Sequence, residues 1–164
     1  MMNLKWKKLS PEAIIPQYQT NGSSGFDFHA CPDDAWQSDI EGKLFIAIPS
    51  MSQKIIGTGL AMVIPDGFEV QVRPRSGLAA KHCITITNSP GTIDASYRNE
   101  VKCIMFNMGQ EPFIIRAGDR IAQGVLQKVE QAKMEEIVDF SAEDMAKDRG
   151  GGFGSTGTAG TTSK

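Results

Sequence analysis

Groups that could bind a ligand are most concentrated between Arg149 and Gly157, where the sequence reads RGGGFGSTG. This segment offers a guanidinium, free backbone N–H groups, two hydroxyls and one aromatic ring, which together suit a phosphate chain attached to a flat base. Ordering these residues costs on the order of 10 kcal/mol or more, and Phe153 alone cannot offset that cost. We therefore predict a flexible arm that becomes ordered when it closes over a nucleotide.

Two segments nearer the N-terminus carry polar groups that could serve the same ligand. In SGFDFHA (24–30), Asp27 alternates with Phe26 and Phe28 and so points to the opposite face of a strand. In PRSGLA (74–79), Arg75 and Ser76 stand where a strand gives way to a short helix, a junction with free N–H groups for an anion. Taken alone, the first also fits a solvated strand aspartate, and the second fits a surface arginine beside a capping serine.

The stretch from Asn88 to Glu100 contains Pro90-Gly91 and predicts a tight turn between two strands. Such a hairpin tip can wrap a flat base and present its backbone N–H and C=O groups. Asp94 and Tyr97 follow on its descending side. Further along, GDRIAQ (118–123) predicts a turn leading into a strand, where Gln123 can donate to a phosphate oxygen and Asp119 pairs by default with Arg120.

The elements that must position these groups are mostly short strands separated by turn signals, a pattern typical of a sandwich or barrel. Helical signal is confined to 76–82 and to 141–147, where Ser141 and Asp144 predict a capping box. The predicted strands are 43–49, 59–64, 68–73, 84–88, 100–107, 112–115 and 120–129.

Composition narrows the possible functions. The chain has 164 residues, 40% of them hydrophobic, and a net charge of −2, which favours one globular domain and disfavours nucleic-acid binding by a basic surface. Three scattered cysteines predict reduced thiols, and His82-Cys83 with a distant His29 matches no common zinc spacing. No apolar run approaches the ~18 residues that span a membrane, and no signal peptide is evident, so we predict a cytoplasmic location.

Together and in this order, five motifs resemble those of the trimeric deoxyuridine triphosphatases (dUTP pyrophosphatases), from about residue 4 to residue 157. The motifs are SGFDFHA, PRSGLA, GTIDASYRNE, GDRIAQ and GGFGSTG. The resemblance implies an all-β, jelly-roll-like barrel or sandwich (a β-clip) over 1–148 and a flexible arm over 149–164. It also implies a homotrimer with active sites at subunit interfaces, which uses Mg²⁺ to hydrolyse dUTP to dUMP and diphosphate. That reaction supplies dUMP for thymidylate synthesis and keeps uracil out of DNA.

The resemblance also assigns roles to individual residues. Asp94 resembles the general base that activates the attacking water, and Asp27 resembles the carboxylate near the water shell of the metal. Tyr97 resembles the residue that packs under the deoxyribose. The remaining implied substrate contacts are Asn88, Thr92, Ile93 and Lys102 on the nucleoside side; Arg75, Ser76, Gly77 and Gln123 on the phosphates; and Arg149, Phe153, Gly154, Ser155 and Thr156 in the arm, with Phe153 stacked on uracil.

Two positions depart from the family pattern. Asn99 stands where the family usually has glycine, and asparagine tolerates positive φ better than most residues. Arg149 lies only four residues before Phe153, one fewer than usual, so Lys147 is an alternative cation for the arm. Two other functions stay open at this point: a related deaminase acting on dCTP, and a nucleotide sensor without turnover.

Overall fold

The computed structural model describes residues 2–148 and residue 150. Residues up to Glu130 form one compact unit, and a second unit begins at Gln131. The predicted boundary after residue 148 stays a prediction. The strands are β1 (Lys5–Lys8), β2 (Phe26–His29), β3 (Gln37–Ser38), β4 (Leu44–Ile48), β5 (Ser52–Gly57), β6 (Leu60–Val63), β7 (Phe68–Arg73), β8 (Ile84–Ile86), β9 (Gly91–Ile93), β10 (Lys102–Asn107), β11 (Phe113–Arg116) and β12 (Arg120–Lys128); the helices are α1 (Ser76–His82) and α2 (Ala142–Ala146).

The strands of the first unit form small antiparallel sheets. The largest has the order β2-β12-β7-β9, and two three-stranded sheets have the orders β5-β10-β8 and β11-β4-β3. A further pair joins β1 to β6. Apart from the local pair β3–β4, neighbouring strands come from distant parts of the sequence, which is the long-range pairing of a jelly-roll-like barrel and confirms the predicted all-β class.

The core follows from the period-2 alternation along β2 and β7. Phe26 and Phe28 are buried on one face of β2, and Val70 and Val72 are buried on the matching face of β7. The two phenylalanine rings meet edge to face at 5.4 Å. Gly124 on β12 makes room for them, because a Cβ there would lie 2.4 Å from the Phe26 ring. The opposite face of the same strands is left to polar side chains.

Each strand predicted from 43 onward is present, with boundaries shifted by a few residues, whereas β1, β3, β5 and β9 were not predicted. The first three lack a continuous apolar run or a clean alternation, and β9 lies in the segment that was predicted as a turn. The predicted turn at 65–67 is present: the Phe68 N–H donates to the Pro65 carbonyl at 3.2 Å, and Gly67 has a φ of +79°.

The loop after β8 differs from the simple hairpin tip that the sequence predicted. The flanking strands do pair, with Ile86 opposite Met105. Between them, however, the chain forms β9 and pairs it with β7 of the four-stranded sheet. The Pro90-Gly91 turn therefore carries the chain from one sheet to another, because the apolar Ile93 buries its side chain beside Val70.

In the second unit, α2 begins with the predicted capping box. The Asp144 N–H donates to the Ser141 hydroxyl at 3.2 Å, and the Ser141 N–H donates to the Asp144 carboxylate at 3.2 Å. At its end, Lys147 pairs with Glu143 at 2.8 Å. Across the residues that the structure describes, none of the helices is both long and apolar enough to cross a membrane.

Candidate active site

The polar face of the four-stranded sheet carries a row of side chains set by strand register. Gln123 of β12 lies opposite Asp27 of β2 on one side and opposite Arg73 of β7 on the other. The Gln123 amide donates to the Pro74 carbonyl at 2.8 Å, which holds the chain where it leaves β7. Because Phe26 and Phe28 point into the core, Asp27 lies on this outer face, as predicted.

Asp27 is clamped between two guanidinium groups. The Arg75 Nε donates to one carboxylate oxygen at 2.8 Å, and Arg120 Nη1 lies 3.4 Å from the other. Arg75 also donates to the Arg120 carbonyl at 3.1 Å. The Asp27 side chain is only 13% exposed. Two cations against one carboxylate leave a net positive charge here, which favours an anion.

Arg120 is a member of this cluster that the sequence did not reveal. The expected local pair with Asp119 is replaced: the Asp119 carboxylate accepts from the Arg116 N–H at 2.8 Å, while Arg120 reaches across to Asp27. A turn arginine gives no sign of a partner 93 positions away, so only the pairing of β12 with β2 exposes this role.

His29 lies two residues beyond Asp27 on the same face of β2. Burial lowers the pKa of His29; the neighbouring Asp27 opposes that effect, and Arg120 and Arg75 add to it. Within the described chain its Nδ1 is buried without a hydrogen-bond partner. The imidazole is therefore neutral near pH 7 and does not add to the positive charge of the cluster.

Ser76 and Gly77 open α1 directly after Arg75. Arg75 occupies the N-cap position but makes no side-chain capping bond, since a guanidinium has no acceptor for the helix N–H groups, and it instead points toward Asp27. A Cβ on Gly77 would meet nothing within 4 Å, so this turn is open on its outer side. Ser76 and Gln123 border one cavity of about 450 Å³, together with Arg73. We call the outer-face residues Asp27, Arg75, Ser76, Arg120 and Gln123 the cationic face.

A second, smaller cavity of about 170 Å³ gathers five of the predicted site residues. Asn88, Thr92, Ile93, Tyr97 and Lys102 all line it. Because β9 is an edge strand of its sheet, backbone N–H and C=O groups on its open side can form hydrogen bonds with a ligand. We call this cavity, which is lined by residues from the 88–102 stretch together with Val72 and Ile104, the loop pocket.

Asp94 follows β9 directly and is exposed beside the loop pocket. Its carbonyl accepts from the Tyr97 N–H at 3.0 Å, which closes a tight turn. The Tyr97 hydroxyl donates to the Glu100 carbonyl at 2.9 Å, and Lys102 pairs with the Glu100 carboxylate at 3.3 Å. The tyrosine is thus tied at both its backbone and its phenol.

The two groups of residues lie on opposite sides of β7. Val72 borders the loop pocket, whereas Gln71 and Arg73 border the larger cavity next to Ser76. Successive side chains of a strand point to opposite faces. One chain therefore presents the loop pocket on one face and the cationic face on the other.

Some predicted contacts lie outside the described residues. They are Arg149, Phe153, Gly154, Ser155 and Thr156.

The oxygen and nitrogen donors of the described residues fit a metal that arrives with its ligand rather than one coordinated entirely by protein. No cluster of three or more His, Cys, Asp or Glu side chains that could hold a metal occurs in the described part of the chain. Mg²⁺ keeps several waters and commonly binds through one or two carboxylates plus substrate phosphates. With both its oxygens facing arginines, Asp27 is suited to contact a hydrated ion through water rather than directly.

The chain is similar to known proteins over nearly its whole length. Residues 11–157 match the dUTPase family model. A deoxyuridine 5'-triphosphate nucleotidohydrolase of Nautilia profundicola is 47% identical over 156 residues, covering 95% of this chain and 99% of that protein.

Two solved structures share the fold. One is the Staphylococcus bacteriophage 80alpha dUTPase with dUPNHPP, with a TM-score of 0.74 and 21% identity over 96% of this chain and 100% of that one. The other is a mutant dUTPase of phage phi11 of S. aureus, which reveals a structural Mg(II) ion; its TM-score is 0.72 at 18% identity, over 86% and 100% of the two chains.

Proposed function

The chain belongs to the dUTPase family, and from that premise we propose that it hydrolyses dUTP to dUMP and diphosphate. The observation that carries the proposal is the loop pocket, which gathers Asn88, Thr92, Ile93, Tyr97 and Lys102 beside the exposed carboxylate of Asp94. The pocket presents an edge-strand backbone, which can pair with the polar edge of uracil. Its small volume disfavours a bulkier base.

We infer that Asp94 is the general base. Its carboxylate accepts a proton from a water as the water oxygen bonds to the α-phosphorus. The bridging bond between the α- and β-phosphates breaks in the same displacement, and diphosphate leaves. Base catalysis of this kind is typically worth ~10²–10⁴-fold in rate. Tyr97 closes the turn that begins at the Asp94 carbonyl, so the base and the pocket share one rigid loop.

The cationic face is suited to the phosphate chain. Arg75 and Arg120 outnumber the single carboxylate between them, and Ser76, Gly77 and Gln123 add neutral donors. A bound Mg²⁺, held by the phosphates and through water by Asp27, would neutralise charge on the leaving diphosphate. Because Asp27 holds the Arg75 guanidinium in place, this cation is positioned before substrate arrives.

We propose a homotrimer with active sites between subunits, and the two-sided arrangement supports sites that are shared between copies. The loop pocket and the larger cavity beside Ser76 lie on opposite sides of β7 in one chain, so we expect a nucleotide to bind where the loop pocket of one copy meets the cationic face of another. We expect the 149–164 arm to complete that site with Phe153 and a cation from Arg149 or Lys147.

Three free cysteines, two of them buried, suit a cytoplasmic location.

A side-by-side turnover assay tests the function. The protein is incubated with Mg²⁺ and dUTP, dCTP, dTTP or UTP, and diphosphate and ammonia are measured. We expect rapid diphosphate release from dUTP alone. Ammonia from dCTP would instead identify a deaminase, and tight dUTP binding without turnover would identify a nucleotide sensor.

Removal of residues 149–164 tests the arm separately. We expect the truncated protein to fold and assemble as the full chain does, with severely reduced turnover of dUTP. Size-exclusion chromatography with light scattering reports the assembly, and the same diphosphate assay reports the activity. Full activity after truncation would rule out the closing arm.

A further inference from the structure

Glu100 anchors the end of the loop that forms the loop pocket, and it does so through the turn between β5 and β6. The Glu100 carboxylate accepts from the Gly59 N–H at 2.8 Å. The next residue is fixed as well: the Val101 N–H donates to the Leu60 carbonyl at 2.8 Å, and the Val101 carbonyl accepts from the Thr58 hydroxyl at 2.7 Å. We call residues 58–60 together with Glu100 and Val101 the clasp.

Two glycines make the clasp possible. Gly59 adopts a φ of +64°, in the left-handed region that favours glycine, and thereby turns its N–H toward Glu100. At Gly57 a Cβ would lie 2.5 Å from the same carboxylate oxygen. The space that Glu100 occupies therefore exists because residue 57 has no side chain.

Glu100 also connects the clasp to two residues that line the loop pocket. Its carbonyl accepts from the Tyr97 hydroxyl at 2.9 Å, and the second oxygen of its carboxylate lies 3.3 Å from the Lys102 ammonium. The Glu100 side chain is 27% exposed, against 51% for Lys102. One residue thus holds the tyrosine through its backbone and the lysine through its charge.

We propose that Glu100 is a positioning residue that fixes Tyr97 and Lys102 in the loop pocket and thereby sets the preference for a deoxyribose over a ribose. The inference rests on the proposed function and on the role that the family resemblance implies for Tyr97, packing under the deoxyribose. Because its backbone N–H and its phenol are both hydrogen-bonded, Tyr97 has little freedom to shift and admit an extra hydroxyl. If the Glu100 carboxylate is released from Gly59, the acceptor for the Tyr97 hydroxyl moves, and the ring gains freedom.

Three variants separate the contributions. Glu100→Ala removes the acceptor for Gly59 and the charge beside Lys102. Glu100→Gln keeps an acceptor oxygen but loses the charge. Gly57→Ala leaves Glu100 intact and displaces its carboxylate by steric conflict. The matched control is Glu41→Gln, since Glu41 pairs with Lys43 at 2.6 Å with both side chains 65% exposed.

The kinetic readout is kcat and KM for dUTP and for UTP. Loss of a hydrogen bond to a charged group predicts that Glu100→Ala raises KM for dUTP about tenfold, with a smaller change in kcat because the Asp94 carboxylate itself is retained. The ratio of kcat/KM for dUTP to that for UTP should fall, most in Glu100→Ala and Gly57→Ala and least in Glu100→Gln. An unchanged ratio in both Glu100→Ala and Gly57→Ala overturns the proposal.

Amide hydrogen exchange at Gly59 gives a readout that needs no activity. We expect its protection to be lost in Glu100→Ala, reduced in Gly57→Ala and largely retained in Glu100→Gln and Glu41→Gln. Undiminished protection in Glu100→Ala also overturns the proposal. If the wild-type protein does not turn over dUTP, the proposed function fails, while the exchange measurement still decides whether Glu100 holds the clasp.

Discussion

The cationic face and the loop pocket are built in different ways. The cationic face collects side chains from β2, β12 and the start of α1, and cross-strand register places them beside each other. The loop pocket comes almost entirely from one continuous stretch, residues 88–102, whose shape depends on backbone turns and on the clasp.

This difference corresponds to the part of the nucleotide that we propose for each region. Phosphate is recognised by charge, and charge can be supplied by long side chains held by one another, as Arg75 is held by Asp27. A small flat base is recognised by shape and by a pattern of donors and acceptors, which needs a backbone fixed in place. We therefore expect substitutions in the cationic face to weaken binding of the phosphate chain. Substitutions in the loop pocket should instead change the rate of the chemical step and the selectivity for the nucleoside.

The largest effect is expected from Asp94→Asn. The amide keeps the size of the carboxylate but cannot accept the proton of the attacking water, so kcat should fall at least ~10²-fold, with dUTP binding nearly unchanged. Stopped-flow release of diphosphate and calorimetric titration with a non-hydrolysable analogue measure the two quantities. Asp66→Asn, at an exposed turn, is the control; equal losses in both variants would remove Asp94 from the mechanism.

A smaller loss is expected from Arg75→Lys on the other face. Lysine keeps the charge but lacks the planar fork that contacts both Asp27 and the Arg120 carbonyl. Loss of one or two charge-assisted hydrogen bonds predicts a decrease of about 10- to 100-fold in kcat/KM, mostly through KM. Arg116→Lys, which alters an Arg–Asp pair elsewhere, should have little effect, and a pure kcat loss in Arg75→Lys would argue against a binding role.

Gly124→Ala tests the sheet that lies behind the cationic face. The added Cβ would lie 2.4 Å from the Phe26 ring and 2.8 Å from Phe28, and overpacking of this kind costs about 1–3 kcal/mol. Urea unfolding should show that loss of stability, whereas Gly22→Ala, with nothing within 4 Å, should not. Equal stability of the two variants would mean that the rings can move aside.

The smallest expected effect is a decrease in stability at alkaline pH, caused by a buried thiol next to Lys102 of the loop pocket. Burial raises the pKa of Cys103, which follows Lys102 in β10, to about 12. The thiol of the unfolded chain loses its proton above pH 9.0, whereas the buried thiol of the folded state keeps it. The free energy of unfolding is therefore unaffected by the ionisation of this group below pH 9.0 and decreases as the pH rises above that value. We expect the urea midpoint of the wild-type protein to decline more steeply between pH 9 and pH 10 than that of Cys103→Val. Parallel declines would show that the Cys103 thiol does not contribute.

Much of the fold could be predicted because local signals and burial agree. The alternation at 68–73, the turn at 65–67 and the capping box at Ser141 all appear as expected. The partner of Arg120 and the role of Glu100 could not be predicted. Each depends on a contact between residues 41 or more positions apart, and nothing in the neighbourhood of either residue points to its partner.

The sequence by itself determined which chemical groups are available and in what order, because motif residues and their spacing are properties of the chain alone. It also determined the all-β class, since period-2 burial and turn residues act over a few positions. Only the tertiary structure decided that β9 leaves its hairpin to join β7, that Asp27 is shared between two arginines, and that the two halves of the candidate site lie on opposite faces. Those facts depend on strand register, which is set when distant apolar faces pack together and is not encoded in any single segment.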